Sequence, residues 1–293
     1  MKLFLFILLA LFWGGSFVAI KVVVAIVPPF WAAATRLISA LVIIYLALKV
    51  AKTDLGVKPN LRNKVWLSGL FSQGIPFAFL FWGERVISPG LSGILNGTTP
   101  LFTFLFGLLL LRQHEPFTIK KLLGLILGIA GIFCIFGPRL SGGIDNSSAL
   151  ATLAVSAMAV SYGLGTIINK SVMVHPDHPS LNVSLFHQTF VSTIFVTLIA
   201  LAFEGLPHLV WYKNTNFILA TLYMGWISTA LAFFIYYKLL HEWGALRASA
   251  VAYLLPISAV FLDYVINRNI PLTTDAIGAV IILTGMLLLQ GRV

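Results

Sequence analysis

Trp13, Phe77, Tyr162, Trp226 and Tyr253 offer aromatic faces, and Gln73, Asn96, Thr99 and Ser249 offer amides and hydroxyls, all from within stretches that are otherwise aliphatic. Such a set can stack against and hydrogen-bond a small solute; it is the chemistry of holding a molecule, not of making or breaking its bonds. Hydrolysis inside a membrane would need a nucleophile with a base or a pair of carboxylates, and no GxSxG, HExxH or paired intramembrane Asp occurs in the sequence. His175, Asp177 and His178 lie in a Pro-rich loop without a fourth ligand, and the single cysteine, Cys134, gives neither a disulfide within the chain nor a thiolate cluster. Neither a metal nor a cofactor is expected. Each of these side chains taken singly also fits core packing, and a Ser or Thr in a helix often bonds its own backbone.

Charges inside the apolar stretches are few. Arg36 falls about seven residues into the second one, where an arginine costs roughly 3 kcal/mol unless it finds a partner or water. Two readings stand: contact with a solute or a gate, and an arginine that snorkels to the interface while capping carbonyls of another helix. His187 and Gln188 occupy roughly the corresponding place later in the chain, and His187 reads either as a proton-sensitive gating element or as a neutral ring bonded to a neighbouring helix. Asp263 reads as a solvated or paired end charge, with Arg268 as its nearest cation in sequence. None of the nine acids is expected near the middle of a span, so the solute expected is neutral or zwitterionic.

These residues need helices to position them. Of 293 residues 59% are hydrophobic and 10% charged, with a mean hydropathy of +0.98, and the apolar stretches have the length an α-helix needs to cross a bilayer. The fold class is all-α integral membrane, with ten transmembrane helices at about 3–24, 29–49, 64–84, 90–111, 118–137, 147–169, 181–203, 215–239, 245–266 and 273–291. A net charge of +10 would suggest nucleic acid in a soluble protein, but here its distribution follows the loops. With the N-terminus inside, Lys2, Lys49, Lys52, Lys58, Arg62, Lys64, Arg112, Lys120, Lys121, Lys170, Lys238, Arg247 and Arg292 fall on the inner side. The outer side receives only Lys21, Arg85, Arg139, Lys213 and Arg268, which predicts cytoplasmic termini in a multi-pass plasma-membrane protein. The partners expected are a small-molecule solute and the lipid bilayer, without nucleic acid; the sequence leaves the oligomeric state open.

The chain also repeats itself. Pro100 in the fourth stretch recurs as Pro256 in the ninth, Trp13-Gly14 is echoed by Tyr162-Gly163, and Gly124 and Gly131 by Gly278 and Gly285. Two five-helix repeats follow, 1–140 and 141–293, and an odd number of crossings per repeat makes the second enter the membrane inverted. Pro100 and Pro256 each remove a backbone donor within a span, predicting matching bends that face protein or water. Gln73-Gly74 with Pro76 predicts another broken helix in the third span.

The segment ALFWGGSFVAIK, the arginine-bearing ATRLISAL, the approach from Gly90 to Pro100, Glu115 ahead of a glycine-spaced fifth helix, and GALRASAVAYLLP in the second half resemble the drug/metabolite transporter superfamily, in particular its ten-helix members built from two EamA-type repeats. The second half departs from the pattern, since Asn269 and Ile270 stand where an acid precedes the tenth helix. The resemblance implies a bacterial inner-membrane secondary transporter working by alternating access through a central cavity, similar to exporters of aromatic and other neutral amino acids. Export of cationic compounds, drugs or purine metabolites is the alternative on the same fold, ahead of a channel or a membrane-embedded enzyme.

Overall fold

The computed structural model describes residues 2–110, 118–140, 146–243, 251 and 254–289. Among them the chain is helical, without strands. We number the helices α1 (Lys2–Val24), α2 (Pro29–Val50), α3 (Pro59–Glu84), α4 (Pro89–Asn96 and Thr99–Leu110), α5 (Ile119–Leu140), α6 (Asn146–Met173), α7 (Leu181–Glu204), α8 (215–243), α9 (Leu254–Asn267) and α10 (Thr273–Leu289). Six of them, α1, α2, α3, α6, α7 and α8, contain stretches long and apolar enough to cross a membrane, and α5, α9 and α10 contain shorter apolar stretches. A short 3-10 turn, Leu209–Lys213, precedes α8 and has no clear sequence signal.

Local chemistry sets the helix starts. Pro29, Pro59 and Pro89 stand at the first turn, where a missing N–H costs nothing, and Ser88, Ser180 and Asn214 accept from Leu91, Val183 and Phe217 N–H as N-caps. Pro59 therefore starts α3 five residues earlier than hydropathy alone suggests. The predicted break in the third span takes another form: α3 runs on without interruption, but Leu70–Gly74 widen into a π-helical turn and Pro76 sits in the first turn of the α-helix that follows. An extra residue in the turn before a proline moves aside the carbonyl its ring would strike. A second π-helical segment, Tyr223–Leu231, lies in α8.

α4 breaks as expected of Asn96-Gly97-Thr98-Thr99-Pro100. Its first piece ends at Asn96, Thr98 Oγ1 donates to Leu95 O, and the second piece restarts at Thr99 with Pro100 in its first turn. Pro256 stands in the first turn of α9, and the residues just before it, 252–253, lie outside the described ones.

The core runs between the helices through Ile20, Leu37, Phe81, Ile94, Leu95 and Met158, all essentially without exposure. Phe133, Leu198, Phe203 and Val280 point outward, as a lipid-facing surface requires. α2 packs on α7, α4 on α9 and α5 on α10, while α3 packs on α6 and α7 much as α8 packs on α1 and α2. Each of these contacts maps onto another, or onto itself, when each of the first five helices is exchanged with the helix five places on. At the α5–α10 crossing, a Cβ on Gly131 would lie 2.8 Å from Gly278 O, and one on Gly285 2.6 Å from Gly124 O. The two helices thus run antiparallel with their paired glycines in contact.

The end of the bundle carrying the α1–α2 connection is stitched by charged side chains on helix termini. Glu204, closing α7, accepts from Phe30 and Trp31 N–H at the start of α2 (2.9 and 2.8 Å), where a carboxylate also meets the positive end of the helix dipole. Asp263 of α9 accepts from Gly90 N–H at the start of α4, and from the Asn267 and Asn269 amides. Lys21 Nζ of α1 donates to the carbonyls of Glu84, Arg85 and Ile87 at the end of α3. Asp263 is therefore no solvated end charge: it is 3% exposed, and the bonds it makes are to amides.

Candidate functional site

Two of the predicted residues meet around Arg36. The arginine is 4% exposed, so it does not snorkel out of the bundle. Its Nε donates to Thr229 Oγ1 in the π segment of α8 (3.1 Å), and its guanidinium lies 4.3 Å from the centroid of the Phe77 ring on α3. Thr229 Oγ1 in turn donates to Met224 O, which fixes the acceptor. Nη1 of Arg36 has no partner among the described residues. The phenols of Tyr162 and Tyr223 and the Glu84 carboxyl are within electrostatic reach of the guanidinium, and Tyr223 Oη is held by Phe12 O at 3.0 Å.

Gln73 lies in the other π segment, one α-helical turn before Phe77. It is fully buried, and neither its amide nitrogen nor its oxygen has a partner among the described residues. Ser228, beside Thr229, is equally buried and unbonded. Each π segment sits where backbones approach closely, α8 against α2 and α3 against α7: a Cβ on Gly225 would lie 2.7 Å from Ser39 Cβ on α2, and one on Gly69 2.6 Å from Gln188 Cα on α7. π-helical turns recur at functional sites because they displace side chains and backbone groups from the regular ladder. Here they present Gln73, Ser228 and Thr229.

The remaining predicted residues are placed elsewhere. Trp13 packs its ring against Phe233 and Tyr236 of α8 (5.8 and 5.6 Å between centroids), in a cluster separate from the main core. Asn96 and Thr99 flank the break in α4, half-buried, with Thr99 Oγ1 3.4 Å from Asn96 Oδ1. Trp226 is 43% exposed and stands on the side of the π segment away from Gly225 and Thr229, which pack toward α2. Ser249 and Tyr253 lie outside the described residues.

His187 is not the buried counterpart of Arg36. Its Nε2 meets Leu55 O at 2.8 Å and its Nδ1 accepts from Trp66 Nε1, so the ring ties the α2–α3 connection to α7. The inward side chain is its neighbour Gln188, 3% exposed, whose amide donates to Asn169 Oδ1. At the same end Lys58 bonds Asp177, which holds that carboxyl below its usual range.

Sequence reading missed Glu84. It closes α3 without exposure; neither carboxylate oxygen makes a hydrogen bond of good geometry among the described residues, but the Ser92 hydroxyl lies beside it and Lys21 and Arg36 are within electrostatic reach. Position within a span measured depth, and Glu84 stands at a helix end; its stretch of α3 is packed by α6, α2 and α1, with Lys21 of α1 and Ser92 of α4 beside Glu84 itself. Its seven-residue spacing from Phe77 on one helix face was the available signal. A cavity of about 330 Å³ opens near this end, lined by Lys21, Ser88, Asp263, Asn269 and Asp275 among others, and a second of about 460 Å³ lies by Lys58 and Asp177. Neither is lined by a residue predicted to hold solute.

Apolar helices around a buried, incompletely bonded polar cluster define a multi-pass membrane protein of the transporter class. The model of the EamA-like transporter family matches residues 1–137 and again 149–290, and the chain belongs to that family. It is 25% identical to the uncharacterized transporter YoaV of Bacillus subtilis (strain 168), over 94% of this chain and 92% of that protein. It is 28% identical to a probable amino-acid metabolite efflux pump of Salmonella typhimurium (strain LT2), over 97% and 92%, and 26% identical to one from Escherichia coli (strain K12), over 96% and 91%. A solved crystal structure shares the fold with a TM-score of 0.66 at 20% identity, covering 98% of this chain and 95% of the other.

Proposed function

We propose that this chain exports small metabolites across the bacterial inner membrane, foremost aromatic and other neutral amino acids, with both termini in the cytoplasm. The halves 1–140 and 141–293 act as inverted repeats whose rearrangement exposes a shared site alternately to the two sides. The observation that carries this reading is the polar cluster at the junction of the halves: Arg36 and Phe77 from the first meet Thr229 from the second, with buried donors left unbonded. A buried polar group without a partner costs about 1–3 kcal/mol, a cost that persists where function uses the group. The antiparallel contact of the repeated glycines and the two successive family matches support the inverted arrangement, and the relatives named as amino-acid metabolite pumps support the solute.

One observation favours a second reading. Glu84, a buried carboxyl beside Ser92 with Lys21 and Arg36 within electrostatic reach, is the buried acid a cationic compound would meet. A counterflow screen in proteoliposomes with amino acids, purine derivatives and cationic dyes, run with and without a pH gradient, separates the two. Saturable counterflow of neutral amino acids is expected; transport confined to dyes or purines would replace the first reading with the second, and single-channel current without counterflow would replace both.

A further inference from the structure

Arg36 contributes more hydrogen-bonding capacity than the protein consumes. A guanidinium has five N–H donors in a planar fork and carries a fixed positive charge. The structure engages Nε with Thr229 and lays the plane against Phe77, while Nη1 is buried and unbonded among the described residues. Ser228, beside Thr229, and Gln73, one turn before Phe77 on α3, are also buried and unbonded among the described residues. A buried guanidinium with an unbonded Nη1 and an aromatic wall has no hydrogen-bonded acceptor bearing a negative charge among the described residues. A phosphate would bring more negative charge than one guanidinium balances, and an uncompensated buried charge is strongly unfavourable.

We infer that Arg36 is the receptor for the carboxylate of the transported solute, so that the substrate class is monocarboxylates with an apolar or aromatic body, and the corresponding amides and amines are rejected. This rests on the amino-acid export reading and names the group by which that site recognises its solute. The protein's own acid, Glu84, is within electrostatic reach of the guanidinium but does not hydrogen-bond it. Glu84 lies seven residues beyond Phe77 on α3, about 10 Å along the axis at 1.5 Å per residue, and no hydrogen bond joins it to Arg36 among the described residues. Arg36 therefore stands ready for a carboxylate from outside the chain, with Phe77 both orienting the guanidinium and lining the place where the body of the solute begins.

The test compares phenylalanine, phenylalaninamide and phenethylamine in proteoliposome counterflow, for the wild type and for Arg36→Gln, Arg36→Lys and Glu84→Gln. The wild type is expected to prefer the acid over the amide about ten- to a hundred-fold, the range of a lost charge-assisted hydrogen bond. Arg36→Gln should abolish that preference while retaining the residual amide flux, Arg36→Lys should fall between, and Glu84→Gln should leave the preference intact. A role limited to packing would lower all three fluxes in proportion, and that result overturns the inference. So does a wild type that moves acid and amide equally, which leaves amino-acid export standing. If the wild type moves none of the three, or phenethylamine alone, the export reading itself falls. Should Arg36→Gln fail to fold, the acid-to-amide ratio of Arg36→Lys decides, because the lysine keeps the charge and loses the fork.

Discussion

Gln73 places two unbonded polar atoms at a position with no exposure, and a packed apolar side chain of similar length would be the more stable choice. Gln73→Met is therefore expected to raise the stability of the detergent-solubilised protein by about 1–3 kcal/mol and to lower amino-acid counterflow. Thermal unfolding and flux measured on the same preparation check both; a stabilised variant with undiminished flux would remove Gln73 from the site. Much at this scale was legible in the sequence, because Arg36 and Gln73 are polar residues in apolar company. Their partners were not. Thr229 is one of many helical hydroxyls, and only the turn of the π segment carries it to Arg36. At the place on α7 corresponding to Arg36, held by His187 and Gln188, spacing alone did not say which side chain points inward: rotation about the helix turns Gln188 inward and leaves His187 bonded to Leu55 and Trp66.

At the level of the helices, chemistry at the termini decides how segments meet. Glu204 supplies acceptors to two otherwise orphaned N–H groups of α2, so Glu204→Ala should cost about 0.5–2 kcal/mol, as the loss of an N-cap does. Its solute preference should match the wild type, since the contact lies at a helix end and touches none of the cluster around Arg36. Unfolding midpoints together with the acid-to-amide flux ratio test this, and an altered ratio would mean that the α2–α7 junction reaches the site. The break in α4 was readable from Asn96-Gly97-Thr98-Thr99-Pro100, because proline and glycine act locally. The π turns were not, since one extra residue in a turn leaves composition and hydropathy unchanged. Nor was the capping by Lys21, Glu204 and Asp263, which joins residues far apart in sequence through backbone groups that hydropathy does not register.

Across the whole molecule, the repeated glycines join what the repeat divides. A methyl group on Gly131 would press within 2.8 Å of the Gly278 carbonyl and 2.7 Å of Ile282, so Gly131→Ala should separate α5 from α10 at a cost of about 1–3 kcal/mol. Unfolding in detergent reads that loss, and an unaffected midpoint would mean the crossing has room to spare. The glycine spacing was legible because it recurs in both halves; that the two sets touch each other was not, since sequence separation says nothing of which helices cross.

The central claim is that these halves carry a neutral amino acid by exposing one site to each side in turn. Trans-stimulation tests it most directly: proteoliposomes are preloaded with unlabelled phenylalanine, and entry of labelled phenylalanine is followed against empty vesicles. Alternating access predicts that preloading accelerates entry, that the acceleration saturates with internal phenylalanine, and that it falls with Arg36→Gln. Entry that is linear in concentration and indifferent to preloading, or no entry at all, would contradict the account.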